Sequence, residues 1–418
     1  MTFVEFFDKT AAENVCAALA FPPERVILIG DSTKQMQKAA DRYSRIFAER
    51  GNEVEFIVKS VSRNDLAGIV EHLCEIINTY DDCCFDLTGG GELYLVAMGI
   101  VKERYADKNV QLSRFNIKNN SVIDCDGDGN VVFESDMPEM TVEENIRAYG
   151  GDVVYDDLVS GRTYDWVIDA EFASDIDAIW QICREDVKLW NVQITVFDAI
   201  NRNNLADEDS SAIVAAEEDV ISYLGAKGIG ITENKTLISK LYKSGLVTAL
   251  DFSEGYLCVD FKDEQVKRAL TKAGQALELK IYKEMLGVRN ADGAYVYNDV
   301  KNGVCIDWDG DIHFDSDTIK DTENEIDVMA MRGIVPLFIS CKNGNVDMAE
   351  LYKLNSVSDR FGSKYAKKVL VATALDYMGE FAEYFRQRAL DMNIKLVENA
   401  QDMTDPELCR ILKNLCNG

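Results

Sequence analysis

Strand-like and helix-like patterns alternate along the first 145 residues. The apolar run RVILIG is typical of a short buried strand, and apolar residues then recur at helical spacing between Lys34 and Arg50. The same order returns twice more and is followed by a candidate hairpin. This βαβαβα order predicts a parallel, doubly wound sheet. The strands are expected at 25–30, 52–61 and 83–90, the helices at 34–50, 66–80 and 92–105, and the hairpin at 113–135.

The middle of the chain has a different pattern. Residues 146–204 read as a connector with a helical run over 165–190. Residues 205–265 show two helical runs and then a two-stranded hairpin, which predicts a small winged-helix-like module. Because its second helix carries only three lysines, a structural spacer is favoured over a DNA-reading module. The helices are expected at 213–228 and 234–247, and the hairpin at 249–262.

The C-terminal part of the chain is a third α/β unit. It begins with one predicted helix, Val266–Gly287, and continues through two pairs of strand-like runs. Helices and short apolar strands then alternate up to residue 398. The predicted division of the chain is 1–145, 146–204, 205–265 and 266–418.

Composition limits the chemistry that these units can carry. The 418 residues are 47% hydrophobic and 28% charged, as in ordinary globular domains, and no apolar run is long enough to span a membrane. The N-terminus has no signal-peptide pattern, so a cytoplasmic location is the default expectation. Two histidines disfavour a histidine-rich zinc site and a Ser-His-Asp triad. Carboxylates would have to hold any metal, which favours Mg²⁺ or Mn²⁺.

The net charge of −29 counts against a simple nucleic-acid coat, because affinity for phosphate comes from lysine and arginine. The charge is uneven, however. Residues 235–289 hold 10 basic and 7 acidic side chains, and residues 341–418 hold 11 of each. The C-terminal half is therefore the part of the chain suited to a polyanion.

Two loops of the first unit have the features of an anion site. Each lies where a predicted parallel strand ends and a helix begins, which is the edge where open α/β sheets bind ligands. Glycines allow close backbone approach, and free N–H groups and hydroxyls favour an anion. Turn glycines and helix caps are the alternative for either loop alone, but the pair favours a phosphate-bearing ligand. The candidate ligand-binding residues are Asp31, Ser32, Thr33, Thr88, Gly89, Gly90 and Gly91.

The stretch NEIDVMAMRGIVPLFISCKNG carries acids and a lysine inside two apolar, strand-like runs. Because side chains alternate along a strand, Glu325 and Asp327 share one face of the first run. Ser340 and Lys342 share one face of the second run. A turn at 332–335 would set Asp327 opposite Ser340. The same turn would set Glu325 opposite Lys342.

A solvent-facing salt-bridge cluster is the simple alternative for this polar face. Met329 and Phe338 fall on the same face, however, which indicates that it is at least partly covered. Glu278 also lies at the edge of the apolar stripe of the preceding helix. Two carboxylates followed by Lys342 suit metal-assisted phosphodiester hydrolysis, in which the lysine stabilises negative charge or positions water.

The C-terminal unit resembles the PD-(D/E)xK nuclease domain of CRISPR-associated CARF-fused proteins. The resembling segments are AGQALELKIYKEM, NEIDVMAMRGIVPLFISCKNG and ELYKLNSVSDRFGSKYAKKVLVAT, about a third of the chain. The resemblance implies a restriction-endonuclease-like fold in which Glu278, Asp327 and Lys342 occupy motif positions. Ser340 departs from the motif, because an acid is expected two residues before the lysine. The resemblance leaves Glu325 or Glu278 to complete the metal shell with Asp327.

The first 145 residues resemble a CARF domain, whose doubly wound sheet pairs across a two-fold axis and binds a cyclic oligoadenylate. The full resemblance implies a homodimeric nuclease of type III CRISPR immunity that is activated by cyclic tetra-adenylate. It would require Mn²⁺ or Mg²⁺ and would cut single-stranded RNA or DNA, or nick duplex. Two alternatives stay open. One is a ligand-responsive DNA-binding regulator with a decayed nuclease fold, which Ser340 favours. The other is a CARF half that slowly cleaves its own activator.

Overall fold

A computed structural model provides the coordinates of the chain. Among the residues that the structure describes, no helix combines the length and the apolar character needed to cross a bilayer. The described residues are 1–108, 110–116, 121–126, 129–155, 162–207, 210–230, 234–253, 255–311, 323–373, 375 and 379–416.

Seven strands form the first sheet, and the N-terminal strand is the middle one of its five parallel strands. The order is β3-β2-β1-β4-β5-β6-β7, and the strands from β3 to β5 in this order are parallel. The hydrophobic pattern did not predict β1, because its run TFVEF includes Glu5, a carboxylate that the fold buries. The expected closing hairpin is a three-stranded antiparallel meander. The strands are β1 (Thr2–Phe6), β2 (Arg25–Gly30), β3 (Glu55–Ser60), β4 (Cys83–Asp86), β5 (Gln111–Asn116), β6 (Ser121–Cys125) and β7 (Val131–Asp136).

Helices cover both faces of this sheet, as the doubly wound prediction requires. In the second helix the predicted apolar stripe, which includes Met36 and Tyr43, is buried. Ser32 caps this helix by accepting a hydrogen bond from the backbone N–H of Gln35 at 3.4 Å. The helices are α1 (Ala11–Ala20), α2 (Thr33–Glu49), α3 (Leu66–Thr79), α4 (Glu92–Arg104) and α5 (Val142–Tyr149).

The connector and the small module differ from the prediction in two places. The single helical run over 165–190 is two helices, because Asp186 adopts an extended backbone and caps the second one. The first four residues of the predicted helix at 213–228 belong to a strand, β9, which pairs with β11. The elements are β8 (Asp152–Val153), α6 (Ala170–Glu185), α7 (Val187–Arg202), β9 (Ala212–Ala216), α8 (Glu217–Ala226), α9 (Lys235–Lys243), β10 (Val247–Ser253) and β11 (Tyr256–Phe261).

The third unit is built on a six-stranded sheet in the order β16-β15-β14-β13-β12-β8. The helix predicted as Val266–Gly287 is divided at Gly274, whose φ of 87° lies in the left-handed region. The elements are α10 (Glu264–Thr271), α11 (Gln275–Gly287), β12 (Asp299–Asp307), β13 (Glu323–Arg332), β14 (Val335–Lys342), α12 (Met348–Gly362), β15 (Lys367–Ala372), α13 (Glu380–Asp391), β16 (Ile394–Val397) and α14 (Asp405–Lys413), with 3-10 turns at Ser363–Tyr365 and Ala400–Asp402.

The first and third sheets share one hydrophobic core. Phe3 of β1 and Leu28 of β2 belong to the same buried cluster as Met329 and Phe338. The opposite face of β13 and β14 packs in a second cluster that also contains α11 residues such as Leu277. Both faces of the two strands are therefore covered, α11 on one side and α12 on the other.

Candidate active site and ligand loops

Asp327 lies where β13 and β14 separate from each other. The strands pair from Arg332–Val335 to Val328–Ile339, which is the register that the sequence predicted. Beyond that point the backbone pairing of the two strands stops, and the Asp327 side chain bonds to β14 instead. Its Oδ2 accepts hydrogen bonds from the Cys341 N–H at 2.6 Å and the Ser340 hydroxyl at 3.1 Å. These two donors fix the orientation of Asp327. Ser340 thus contacts the predicted metal ligand as a donor.

Glu278 approaches the same point from the first turn of α11. Glu278 is 6% exposed, and its buried Oε2 has no hydrogen-bond partner among the residues that the structure describes. A Cβ atom at Gly274 would lie 2.9 Å from the Glu278 Oε1, so a glycine at this helix start leaves room for the carboxylate. Burial and the neighbouring negative charge of Asp327 raise the pKa of Glu278 to about 8. A positive charge beside these carboxylates would be stabilising.

Lys342 and Glu325 have partners that the sequence did not reveal. The Lys342 Nζ lies 3.0 Å from an oxygen of Glu350, in the first turn of α12. The Glu325 carboxylate instead pairs with Lys272, at 2.5 Å. The predicted placement of Glu325 opposite Lys342 therefore produces no ion pair. Lys272, which follows α10, and Glu350, in α12, are the closer partners.

A narrow cleft lies between β13, β14 and α12. Its polar lining consists of Glu325, Asp327, Ser340, Glu350 and Lys353. Burial by itself would lower the pKa of Lys342. The negative charge of Asp327 and the hydrogen bond to Glu350 outweigh burial and raise the pKa above its usual value, so the lysine stays charged at neutral pH. Of the predicted site residues, Glu325, Asp327 and Ser340 line the cleft. Glu278 and Lys342 are not among its lining residues, but both are close enough to Asp327 for its charge to shift their pKa values.

The carboxylates fit a hard divalent cation. No three potential ligand side chains among the described residues already stand close enough to hold a metal. Two carboxylates are enough for Mg²⁺, which often keeps several waters and takes its other ligands from substrate phosphates. Asp327 and the unpartnered Glu278 are the two residues that would hold it.

In the first sheet, the two predicted loops meet at the C-terminal edge of the parallel strands. Asp31, Gly90 and Gly91 line one cavity there, together with Arg63. Arg63 donates two hydrogen bonds to Asp31, at 2.6 and 3.1 Å, and this pairing lowers the pKa of the carboxyl. Sequence reasoning missed Arg63, although it follows β3 at the same edge. The remaining lining residues are Phe7, Asp8, Lys9, Gln35 and Tyr94.

The other predicted loop residues have structural contacts. The Thr88 hydroxyl accepts from the Phe115 N–H at 3.2 Å, and the Thr88 N–H donates to Asp86 at 2.7 Å. A Cβ at Gly89 would lie 2.8 Å from the Phe6 carbonyl oxygen. Ser32 caps α2, and Thr33 is its first residue. None of these four residues lines the cavity.

No family model and no curated protein sequence matches the chain. Solved structures do match it over its whole length. Can2 from Sulfobacillus thermosulfidooxidans, in complex with cyclic tetra-adenylate, is 16% identical with a TM-score of 0.65, and the match covers 100% of this chain and 99% of Can2. The chain has the Can2 fold.

Protein VC1899 from Vibrio cholerae has the same architecture, with 15% identity, a TM-score of 0.69 and coverage of 99% of this chain and 96% of that protein. A type III CRISPR defence DNA nuclease activated by cyclic oligoadenylate also matches, with 13% identity, a TM-score of 0.47 and coverage of 89% and 45%. The predicted α/β fold class is confirmed: a doubly wound N-terminal unit, a small module of helices and a three-stranded sheet, and a C-terminal α/β unit, in a chain that has the fold of Can2.

Proposed function

We propose that this chain is a cyclic oligoadenylate-activated, metal-dependent nuclease of type III CRISPR defence. The observation that carries the proposal is the meeting of Asp327, Glu278 and Lys342 at the splayed ends of β13 and β14. The full-length likeness to Can2, a protein solved with cyclic tetra-adenylate, supports the activator class.

Each residue of the site has a role that its contacts support. Asp327, held by Ser340 and the Cys341 N–H, binds Mn²⁺ or Mg²⁺ together with Glu278. A metal held by these residues would supply Lewis-acid chemistry to the scissile phosphate and a water nucleophile of lowered pKa. Lys342 places a positive charge where negative charge develops on the phosphate. Single-stranded RNA or DNA is the proposed substrate, with nicking of duplex as a further outcome.

The cavity lined by Asp31, Arg63, Gly90 and Gly91 is the proposed site of cyclic tetra-adenylate. Arg63 supplies a planar group that binds phosphate, and the glycines admit a ligand close to the backbone. A two-fold-symmetric ring is matched by two copies of the cavity, so the proposed active form is a homodimer. Leu95 and Val96 of α4, which are 46% and 49% exposed, offer apolar surface for that contact.

A DNA-binding regulator is the second candidate, and Ser340 is the observation that favours it. The strand lacks an acid at this position, and the serine hydroxyl is committed to Asp327. In the winged-helix-like module, however, Lys240 pairs with Glu185, which lowers the positive charge available for a phosphate backbone. The nuclease proposal is therefore preferred.

The test is a cleavage assay on the full chain with labelled single-stranded RNA, single-stranded DNA and plasmid, with and without cyclic tetra-adenylate and Mn²⁺. The nuclease proposal requires cleavage that depends on both additions. Asp327→Asn keeps an oxygen that accepts from Cys341 and should abolish cleavage, whereas Asp251→Asn, at an exposed strand position, should not. Ligand-dependent binding of duplex without any cleavage would instead establish the regulator.

A further inference from the structure

The proposed active site has fewer acids on its strands than its chemistry calls for. Asp327 is the one carboxylate at the splayed strand ends that is held toward the cleft by hydrogen bonds from β14. Ser340 occupies the strand position from which a second acid would point the same way. A second carboxylate must therefore come from another element.

Glu325 is poorly placed for this task. It is 42% exposed and pairs with Lys272 at 2.5 Å, so its charge is already compensated away from Lys342. Glu278 is placed deeper, behind the strands, in the first turn of α11. Its Oε2 is buried, and no hydrogen-bond partner for it lies among the described residues.

Glu350 lies on the other side of the same site. Asp347 caps α12 by accepting from the N–H groups of Ala349 and Glu350, and this cap points the first turn of the helix at β14. The Glu350 side chain is 28% exposed, lines the cleft with Asp327 and touches Lys342 at 3.0 Å. Glu350 is therefore an acid from another element that reaches both the cleft and Lys342.

We propose that Glu350 supplies the metal-binding carboxylate that the strand lacks at Ser340. The inference rests on the proposed nuclease function. In the structure Glu350 pairs with Lys342 and lines the cleft with Asp327. Glu350 would hold a divalent cation together with Asp327.

The test measures Mn²⁺ binding to the full chain by isothermal titration calorimetry, without nucleic acid. Glu350→Gln should weaken Mn²⁺ binding by at least about 10-fold, since weaker perturbations of metal sites already cost that much. Adding Ser340→Glu to Glu350→Gln should restore the affinity, because the acid then stands in the strand. Asp359→Asn, on the far part of α12 and paired with Lys368, is the matched control and should bind Mn²⁺ like the wild type.

Each outcome decides the question. Unchanged Mn²⁺ affinity in Glu350→Gln overturns the inference while leaving the nuclease proposal intact, provided that the wild type cleaves. Loss of cleavage with retained Mn²⁺ affinity also overturns it and makes Glu350 a positioning residue for Lys342. A double variant that binds as weakly as Glu350→Gln, or does not bind at all, overturns it as well. A wild type that neither binds Mn²⁺ nor cleaves refutes the proposed function itself.

Discussion

Replacing Asp86 with asparagine should stabilise the protein at high pH and have little effect at low pH. Asp86 is fully buried at the end of β4 and faces Glu5 across the parallel ladder. Burial, with smaller contributions from Glu13 and Asp124, raises its pKa to about 7, against the lowering effect of hydrogen bonding from Thr88. The native protein thus carries a carboxyl group that resists ionisation directly below the ligand loop.

The sign and size follow from proton linkage. An aspartate in the unfolded chain titrates near pH ~3.9, so between about pH 4 and pH 7 the native state keeps a proton that the unfolded state releases. Stability falls across this window by about 1.4 kcal/mol per pH unit, and the loss reaches about 4 kcal/mol above pH 7. Asparagine never ionises and keeps an oxygen that accepts from the Thr88 N–H at 2.7 Å. The variant should avoid this loss.

Thermal unfolding of the full chain measures the effect. If all 418 residues unfold together, the unfolding entropy is roughly 0.9 kcal/mol per kelvin, so 4 kcal/mol raises the midpoint by about 4–5 °C at pH 8. At pH 5 the gain shrinks to about 1.5 kcal/mol, or under 2 °C. Asp81→Asn, at an exposed position before β4, should show no such trend. An Asp86→Asn midpoint shift that is equal at both pH values would refute the reasoning and would indicate that Glu5 takes up the proton instead.

Three further predictions concern the ligand cavity and the nuclease cleft. Gly90→Ala places a side chain on a backbone with a φ of 84° and brings its Cβ within 2.5 Å of the Phe6 Cβ, so it should lower the free energy of unfolding by about 1–3 kcal/mol, measured by chemical denaturation. Gly99→Ala is the control: its Cβ would have no neighbour within 4 Å at this exposed position of α4, so it should be neutral or slightly stabilising. Arg63→Ala should weaken cyclic tetra-adenylate binding in calorimetry by about 10-fold or more, through loss of a charged hydrogen-bond donor; unchanged affinity would place the activator elsewhere. Lys353→Ala, in the lining of the cleft, should raise KM for a single-stranded substrate while leaving kcat nearly unchanged, and should reduce the salt dependence of binding; an equal fall in kcat and kcat/KM would contradict a purely electrostatic role.

The sequence alone was sufficient for features that depend on local periodicity. The turn at 332–335 was read from the sequence, and it set the observed pairing register of β13 and β14. Ligands of open α/β sheets bind at the carboxyl ends of the parallel strands, and this rule predicted a shared site for Asp31 and Gly90, which line one cavity. Applied to β3, that rule would also have found Arg63.

The tertiary structure decided which residues meet across distant elements. β1 escaped prediction because its buried Glu5 breaks the apolar pattern, and only the completed sheet makes that position internal. The helix break at Gly274 depends on the room that Glu278 needs. Lys342 pairs with Glu350 because α12 packs across the strand end, and such a contact has no sequence period. Local geometry determines which face a side chain occupies, whereas its partner depends on how separate elements pack.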